Sequence, residues 1–172
     1  MSFLSRLFSR EPDPREAVRP LWHSLVGIAR DPEWYTTCGV ADTLEGRFDV
    51  LSTVVALAML RLERDPATLP ASARLTELFV EDMDGQLREA GIGDPTVGKK
   101  IGRLVSALGG RTGALREGLA ADDDARLVAA LDRNVTFTDE GDPSAMAAKV
   151  RDLAKRMDGL ADDALFAGEI GA

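Results

Sequence analysis

Residues 75–111, LTELFVEDMDGQLREAGIGDPTVGKKIGRLVSALGGR, decide the fold, because an acidic helix, a glycine turn and a basic helix follow one another here. Apolar residues recur at the 3.6-residue spacing of amphipathic helices. The two apolar stripes are Leu75, Phe79, Val80, Met83, Leu87 and Ala90, then Val97, Ile101, Leu104, Val105 and Leu108. The stretch therefore predicts two amphipathic helices joined by a tight hinge.

Glycines mark both the hinge and the flank of the second helix. Gly91 and Gly93 have the freedom to leave a helix and turn, and Asp94 followed by proline is typical of a helix start. Gly98 and Gly102 form a small-x-x-x-small notch that lets another helix approach closely. In soluble domains such a notch serves internal packing more often than docking, so internal packing is the prediction and docking the alternative.

Residues 93–100 come within one residue of the phosphate-binding pattern GxxxxGK[ST]. Lys100 stands where magnesium needs a hydroxyl, and Asp94-Pro95 places a negative charge and a missing N–H where phosphate needs donors. Asp122–Asp124 are expected to cap a helix, because successive side chains there point in different directions and do not surround a metal. We therefore expect no cofactor, no metal and no small-molecule substrate.

Composition favours one all-α domain, a helical bundle of about six to eight helices. The 172 residues are 45% hydrophobic and only 5% aromatic, and the net charge of -8 argues against nucleic-acid binding. The single Cys38 is compatible with a reducing cytoplasm.

The predicted organisation is an amphipathic tail (1–12), one helical domain (13–160) and a loosely ordered C-terminal tail (161–172). A helix is expected from Asp13, kinked or delayed by Pro20. Asp42 and Glu45 resemble a capping pair for a helix from Thr43 to about residue 64. Its middle is apolar nearly all round, which predicts the buried central helix.

The first ten residues, MSFLSRLFSR, place Phe3, Leu4, Leu7 and Phe8 on one side and two arginines on the other. This pattern is typical of a membrane-surface helix, and a frayed terminus explains it equally well. No segment is expected to span a membrane, because the longest uncharged run, residues 50–60, is far shorter than the roughly 20 residues a bilayer needs.

Catalytic motifs give no support for an enzyme. No HExxH, GxSxG or usable Cys-His spacing is present, and His23 is the only histidine. A hydrolase would require His23, Asp82 and Glu89 to converge in space. A binding protein is therefore the stronger prediction.

Two motifs resemble the ubiquinol-cytochrome c chaperone family. Phe79–Glu89 resembles its F-x-x-D-M-D-x-x-L-R-E segment, followed by the GIGD of residues 91–94 and the VGKK of residues 97–100. GVADTLEGRF at 39–48 is similar to its G-V-P-D-T-F-D-G-R-F. The chain departs from the family pattern at Leu108-Gly109, where the family has an aromatic pair, and at Val135-Thr136, where its members tend to carry apolar and aromatic residues.

The resemblance implies a bacterial assembly chaperone that binds newly made cytochrome b and supports complex III biogenesis. It implies a cytoplasmic protein, peripheral on the cytoplasmic face of the inner membrane. Mitochondrial relatives contact ribosomes together with a small partner protein, which makes both further candidate partners. The alternatives are a membrane-peripheral adaptor for another membrane-protein client and, more remotely, a small hydrolase.

A client surface is predicted on the basic side of the second helix, at Lys99, Lys100, Arg103 and Arg111, beside Asp42 and Arg47. Residues 98–116 hold five basic residues and no acidic one, a local field suited to an anionic membrane or an acidic partner. The alternative is that these cations pair internally with Glu77, Glu81 and Asp84.

Overall fold

The computed structural model describes residues 13–89 and 94–171, without the side chains at positions 87, 94–97 and 100. The chain there is helical nearly throughout, which confirms the all-α single domain. After a 3-10 helix (Pro14–Val18) come α1 (Arg19–Ala29), α2 (Glu33–Thr36), α3 (Leu44–Leu62), α4 (Leu69–Glu89), α5 (Asp94–Ala120), α6 (Ala125–Asn134), α7 (Pro143–Asp158) and α8 (Asp162–Phe166).

Helix α3 is the buried centre of the bundle, as its sequence predicts. Every residue from Asp49 to Ala58 is buried, and α1, α4, α5 and α7 pack around the helix. The cap differs from the prediction, because Thr43 Oγ1, not Asp42, accepts from the Gly46 backbone N–H at 3.2 Å. Asp42 is left free to pair with Arg47, 2.7 Å away.

Prolines and caps set the other helix starts. Pro20 delays α1, which begins only after the 3-10 helix. Helix α4 starts at Leu69, earlier than its periodicity suggests, because Pro70 fits a first turn. Asp142 caps α7, since its side chain accepts from the backbone N–H groups of Ser144 and Ala145 at 2.9 and 3.0 Å.

The C-terminal residues 161–171 differ from the loose tail expected from the sequence. Leu165 and Ile170 lie in the core, and Arg61 donates to Asp162 at 2.8 Å. Leu165 and Ile170 do not share the spacing of a helical stripe and give little periodic signal, yet their burial ties the segment to the bundle.

A buried ion pair joins α3 to α5. Arg111 Nη2 donates to Asp49 Oδ1 at 2.7 Å, and the two residues are only 5% and 8% exposed. The guanidinium also donates to Ser52 Oγ and to the Asn134 carbonyl at the end of α6. The second Asp49 oxygen accepts from the backbone N–H and the hydroxyl of Thr136, each at 2.8 Å.

The segment after α6 is fixed by this network. Next to Thr136, Phe137 forms an isolated antiparallel bridge with Val40, in the loop before α3. The ion pair therefore connects α3, α5 and the α6–α7 connection, and through the bridge it also holds the loop that leads into α3.

No helix in the described part of the chain combines the length and the apolarity needed to cross a membrane.

We predict that Asp49→Ala lowers the free energy of unfolding by about 3–5 kcal/mol, because it leaves the Arg111 charge buried without its partner. Asp49→Leu combined with Arg111→Met should recover most of that loss, since no charge then stays in the core. Urea denaturation followed by circular dichroism measures both values.

Asp42→Ala is the matched control, because the Asp42–Arg47 pair has the same 2.7 Å separation but is exposed. It should cost at most about 1 kcal/mol. If Asp49→Ala and Asp42→Ala lowered the free energy of unfolding equally, burial would not decide how much an ion pair contributes to stability.

Candidate functional site

A groove of about 970 Å³ opens between α1, α2, the start of α3 and the second half of α4. Its volume lies at the upper end of the range typical of ligand pockets. The apolar residues that line it are Trp22, Val26, Ala29, Tyr35, Phe48, Leu51, Leu78 and Met83. Of these, Trp22, Leu51 and Met83 are buried and form the floor, whereas Val26, Tyr35 and Phe48 are only half-buried.

Phe48, a half-buried residue of the groove lining, contacts the central ion pair. The Phe48 ring lies 6.0 Å from the ring of Phe79, centroid to centroid, and the Arg111 guanidinium lies 5.7 Å from the Phe48 centroid. Both distances are within the range of favourable aromatic and cation–π contacts. Phe48 is therefore held in place by a buried aromatic residue and a buried cation.

The two walls of the groove differ in charge. Helix α4 contributes Glu81, Asp82 and Glu89, and the opposite wall contributes three arginines and one carboxylate: Arg19, Arg30, Arg47 and Asp42. Glu81 accepts from Arg15 Nη1 at 2.8 Å, and Asp82 accepts from Gln86 Nε2 at 2.7 Å. An apolar floor between an acidic and a basic wall suits an amphipathic peptide better than a small neutral molecule.

Hydrogen bonds and burial set the charge state of two rim groups. The hydrogen bond from Arg47 holds the pKa of the Asp42 carboxyl below its usual value, so that pair stays charged at neutral pH. Burial raises the pKa of the Tyr35 phenol, which stays protonated and donates to the Ala29 carbonyl at 3.2 Å.

Only part of the predicted client surface lies at this groove. Asp42 and Arg47 stand on its rim, whereas Lys99 and Arg103 are exposed on α5 and do not line it. The Lys100 side chain, like Phe3, Leu4, Leu7 and Phe8, lies outside the described residues. The two halves of the predicted surface are therefore not brought together in the part that the structure describes.

Arg111 was predicted to be an exposed cation of that surface, and this is wrong. Its guanidinium is enclosed by the Asp49 carboxylate, Ser52 and the end of α6. An arginine that forms a buried ion pair with all these acceptors is not available to a partner.

The alternative of internal pairing with the acidic face of α4 is not observed for the described cations of α5. Glu81 pairs with Arg15, and Asp84 accepts from Arg88 at 2.8 Å. Within the described residues, Lys99 and Arg103 have no carboxylate within 4.0 Å.

The prediction that Gly98 and Gly102 serve internal packing is wrong. Both are exposed, and a Cβ at either position would meet nothing within 4 Å. Gly98 borders a shallow groove between α4 and α5 that Val80 and Ile101 also line. Helix α5 begins at Asp94 as predicted, whereas Gly91 and Gly93 lie outside the described residues.

His23, Asp82 and Glu89 do converge on the large groove. Within the described residues, however, no hydrogen bond joins the imidazole to either carboxylate, and no cluster of His, Cys, Asp and Glu suits a metal. A catalytic base needs a partner that orients it, and this arrangement does not provide one.

At the two departures from the family pattern, Leu108 and Val135 lie in the core, whereas their neighbours Gly109 and Thr136 are exposed. Leu108 is 1% exposed and Val135 is 8% exposed. Substitution at these positions therefore changes internal packing and leaves the groove lining unaltered.

Sequence reasoning did not find the groove itself. Its floor combines residues from α1, α3 and α4, and each of them also fits an ordinary helix core. The available signal was the loop aromatic pair Trp34 and Tyr35, of which Trp34 is buried and Tyr35 is half-exposed on the groove.

Comparison with known proteins agrees with the sequence motifs. The family model described as ubiquinol-cytochrome C chaperone matches residues 36–172, a range that includes both motifs. The crystal structure of the Cbp3 homolog from Brucella abortus is similar, with a TM-score of 0.79 and 34% sequence identity over 98% of this chain and 95% of that chain. No curated protein sequence matches significantly.

We predict that Gly98→Ala raises the free energy of unfolding by about 0.5–1 kcal/mol, because alanine favours helix and the added methyl group meets open space. Gly118→Ala in the same helix should lower it by about 1–3 kcal/mol. There a Cβ would lie 2.8 Å from the Leu127 Cα of α6.

Urea denaturation of the two variants provides the measurement. A loss of stability in Gly98→Ala comparable with that of Gly118→Ala would contradict the open environment of Gly98.

Proposed function

Because the chain belongs to the ubiquinol-cytochrome C chaperone family, we propose that it binds newly synthesised cytochrome b and supports the assembly of complex III. The family implies a protein client, and a groove lined by apolar side chains supports binding as the mode of action. In this proposal the protein holds its client and catalyses no reaction.

The groove is the observation that carries the proposal. A segment of a membrane protein that has not yet met its partner subunits exposes apolar side chains next to charged ends. The floor formed by Trp22, Leu51 and Met83 would cover such apolar side chains. The acidic and basic walls would pair with flanking charges, which is the helix-in-groove mode of recognition.

The exposed basic side of α5 supports a peripheral position at the membrane. Lys99 and Arg103 are exposed there, on a protein whose net charge is -8. Basic residues near a surface are attracted to anionic lipid headgroups by about 1 kcal/mol each. We propose that this side and residues 1–12 face the cytoplasmic leaflet of the inner membrane while the groove takes the client.

Binding to the ribosome and to a small partner protein is expected only from the family resemblance, and no residue is assigned to either interaction. An adaptor for another membrane-protein client is the alternative, because the groove chemistry alone does not distinguish cytochrome b from other apolar segments.

Site-specific photo-crosslinking tests the proposal. A photoreactive amino acid at Gln86, which lines the groove and is exposed, should crosslink to cytochrome b during its synthesis. The same group at Lys155, an exposed position of α7 outside the groove, is the control and should not.

A third position separates the two candidate surfaces. If cytochrome b crosslinks to a photoreactive group at Arg103 and not to one at Gln86, the client binds the basic side of α5. Cytochrome b crosslinks from none of the three positions, with another membrane protein captured at Gln86, would favour the adaptor and contradict the proposal.

A further inference from the structure

The described chain begins at the edge of the large groove. The 3-10 helix packs against α1 and α4, and Arg15 Nη1 donates to Glu81 Oε2 at 2.8 Å. Glu81 and Arg19 both line the groove. Residues 1–12 therefore join the fold next to the acidic wall.

The chemistry of residues 1–12 matches that groove. The segment carries Phe3, Leu4, Leu7 and Phe8 together with two arginines, Arg6 and Arg10. The groove offers an apolar floor, and its α4 wall carries Glu81, Asp82 and Glu89. Apolar side chains would meet the floor, and the arginines would meet carboxylates.

The segment is long enough to reach across the floor. Twelve residues span about 18 Å as a helix. The floor residues of α1, from Trp22 to Ala29, extend over about 10 Å. Because the segment is tethered directly to the groove edge, its effective concentration there is in the millimolar range, so a weak intrinsic affinity is enough for occupancy.

We propose that residues 1–12 occupy the groove when no client is bound. Their four apolar side chains cannot enter a membrane and fill the groove at the same time. Membrane binding by the segment and its occupancy of the groove are therefore mutually exclusive. This inference does not depend on which client the groove takes.

The test measures binding of a fluorescent peptide of residues 1–12 to full-length protein by anisotropy. Wild-type protein should bind it weakly, because its own segment competes. Full-length Leu4→Glu/Leu7→Glu protein should bind the peptide at least tenfold more tightly, because its own segment no longer fits the groove.

Charge reversals locate the binding site. Adding Asp82→Lys and Glu89→Lys to the Leu4→Glu/Leu7→Glu protein should reduce peptide affinity at least tenfold, in a salt-dependent way. The matched control, Asp132→Lys at an exposed position of α6, should leave it unchanged. Thermal unfolding confirms that each variant is folded.

Three outcomes would overturn the inference. The first is equal peptide affinity of wild-type and Leu4→Glu/Leu7→Glu protein. If that variant then differs from wild type only in pelleting less with anionic vesicles, the segment is a membrane anchor and does not bind the groove. The second is an equal loss with Asp132→Lys. The third is a dimer in sedimentation at the assay concentration that Leu4→Glu/Leu7→Glu dissociates, which would place the segment in a second copy. Since the assay contains no cytochrome b, its failure would leave the proposed client function standing.

Discussion

The fold depends on one buried charge and its compensation. A guanidinium at position 111 inside the bundle is tolerated because the Asp49 carboxylate, 2.7 Å away, and neighbouring oxygen atoms accept from its two terminal nitrogens, although its buried Nε has no partner. These partners come from α3 and the end of α6, and Arg111 itself lies on α5, so one buried cation connects three parts of the chain. The bridge between Val40 and Phe137 then extends the constraint to the loop before α3.

The same constraint shapes the groove. The Arg111 guanidinium lies 5.7 Å from the ring centroid of Phe48, which lines the groove. Arg47, in the first turn of α3, lies on the rim. A groove whose lining is held by buried contacts needs little rearrangement when a segment binds, which lowers the cost of ordering. This rigidity suits a family that chaperones other proteins. The α4 wall is held by an exposed contact from Arg15, which lies close to the first described residue.

The helices could be predicted from the sequence because apolar periodicity and prolines act locally. The buried α3 and the start of α5 at Asp94 follow directly from such patterns. The position of Arg111 could not be predicted, because its partner Asp49 lies 62 residues earlier and the run of basic residues before it suggests an exposed face. Gly98 was misjudged for a similar reason: the pattern shows that a neighbour could approach, but only the fold shows that none does. The groove combines three distant helices, and no local pattern encodes such a combination.

The central claim, that the groove serves cytochrome b, is tested most directly by spectroscopic measurement of membrane-bound cytochrome b in a strain that lacks the gene. The account predicts loss of the cytochrome b signal and of complex III activity while other respiratory complexes persist. Wild-type protein and Val105→Arg, a half-buried α5 position outside the groove, should restore both, whereas Val26→Arg, a half-buried position inside it, should not. Normal cytochrome b in the deletion strain, or full rescue by Val26→Arg, would contradict the account.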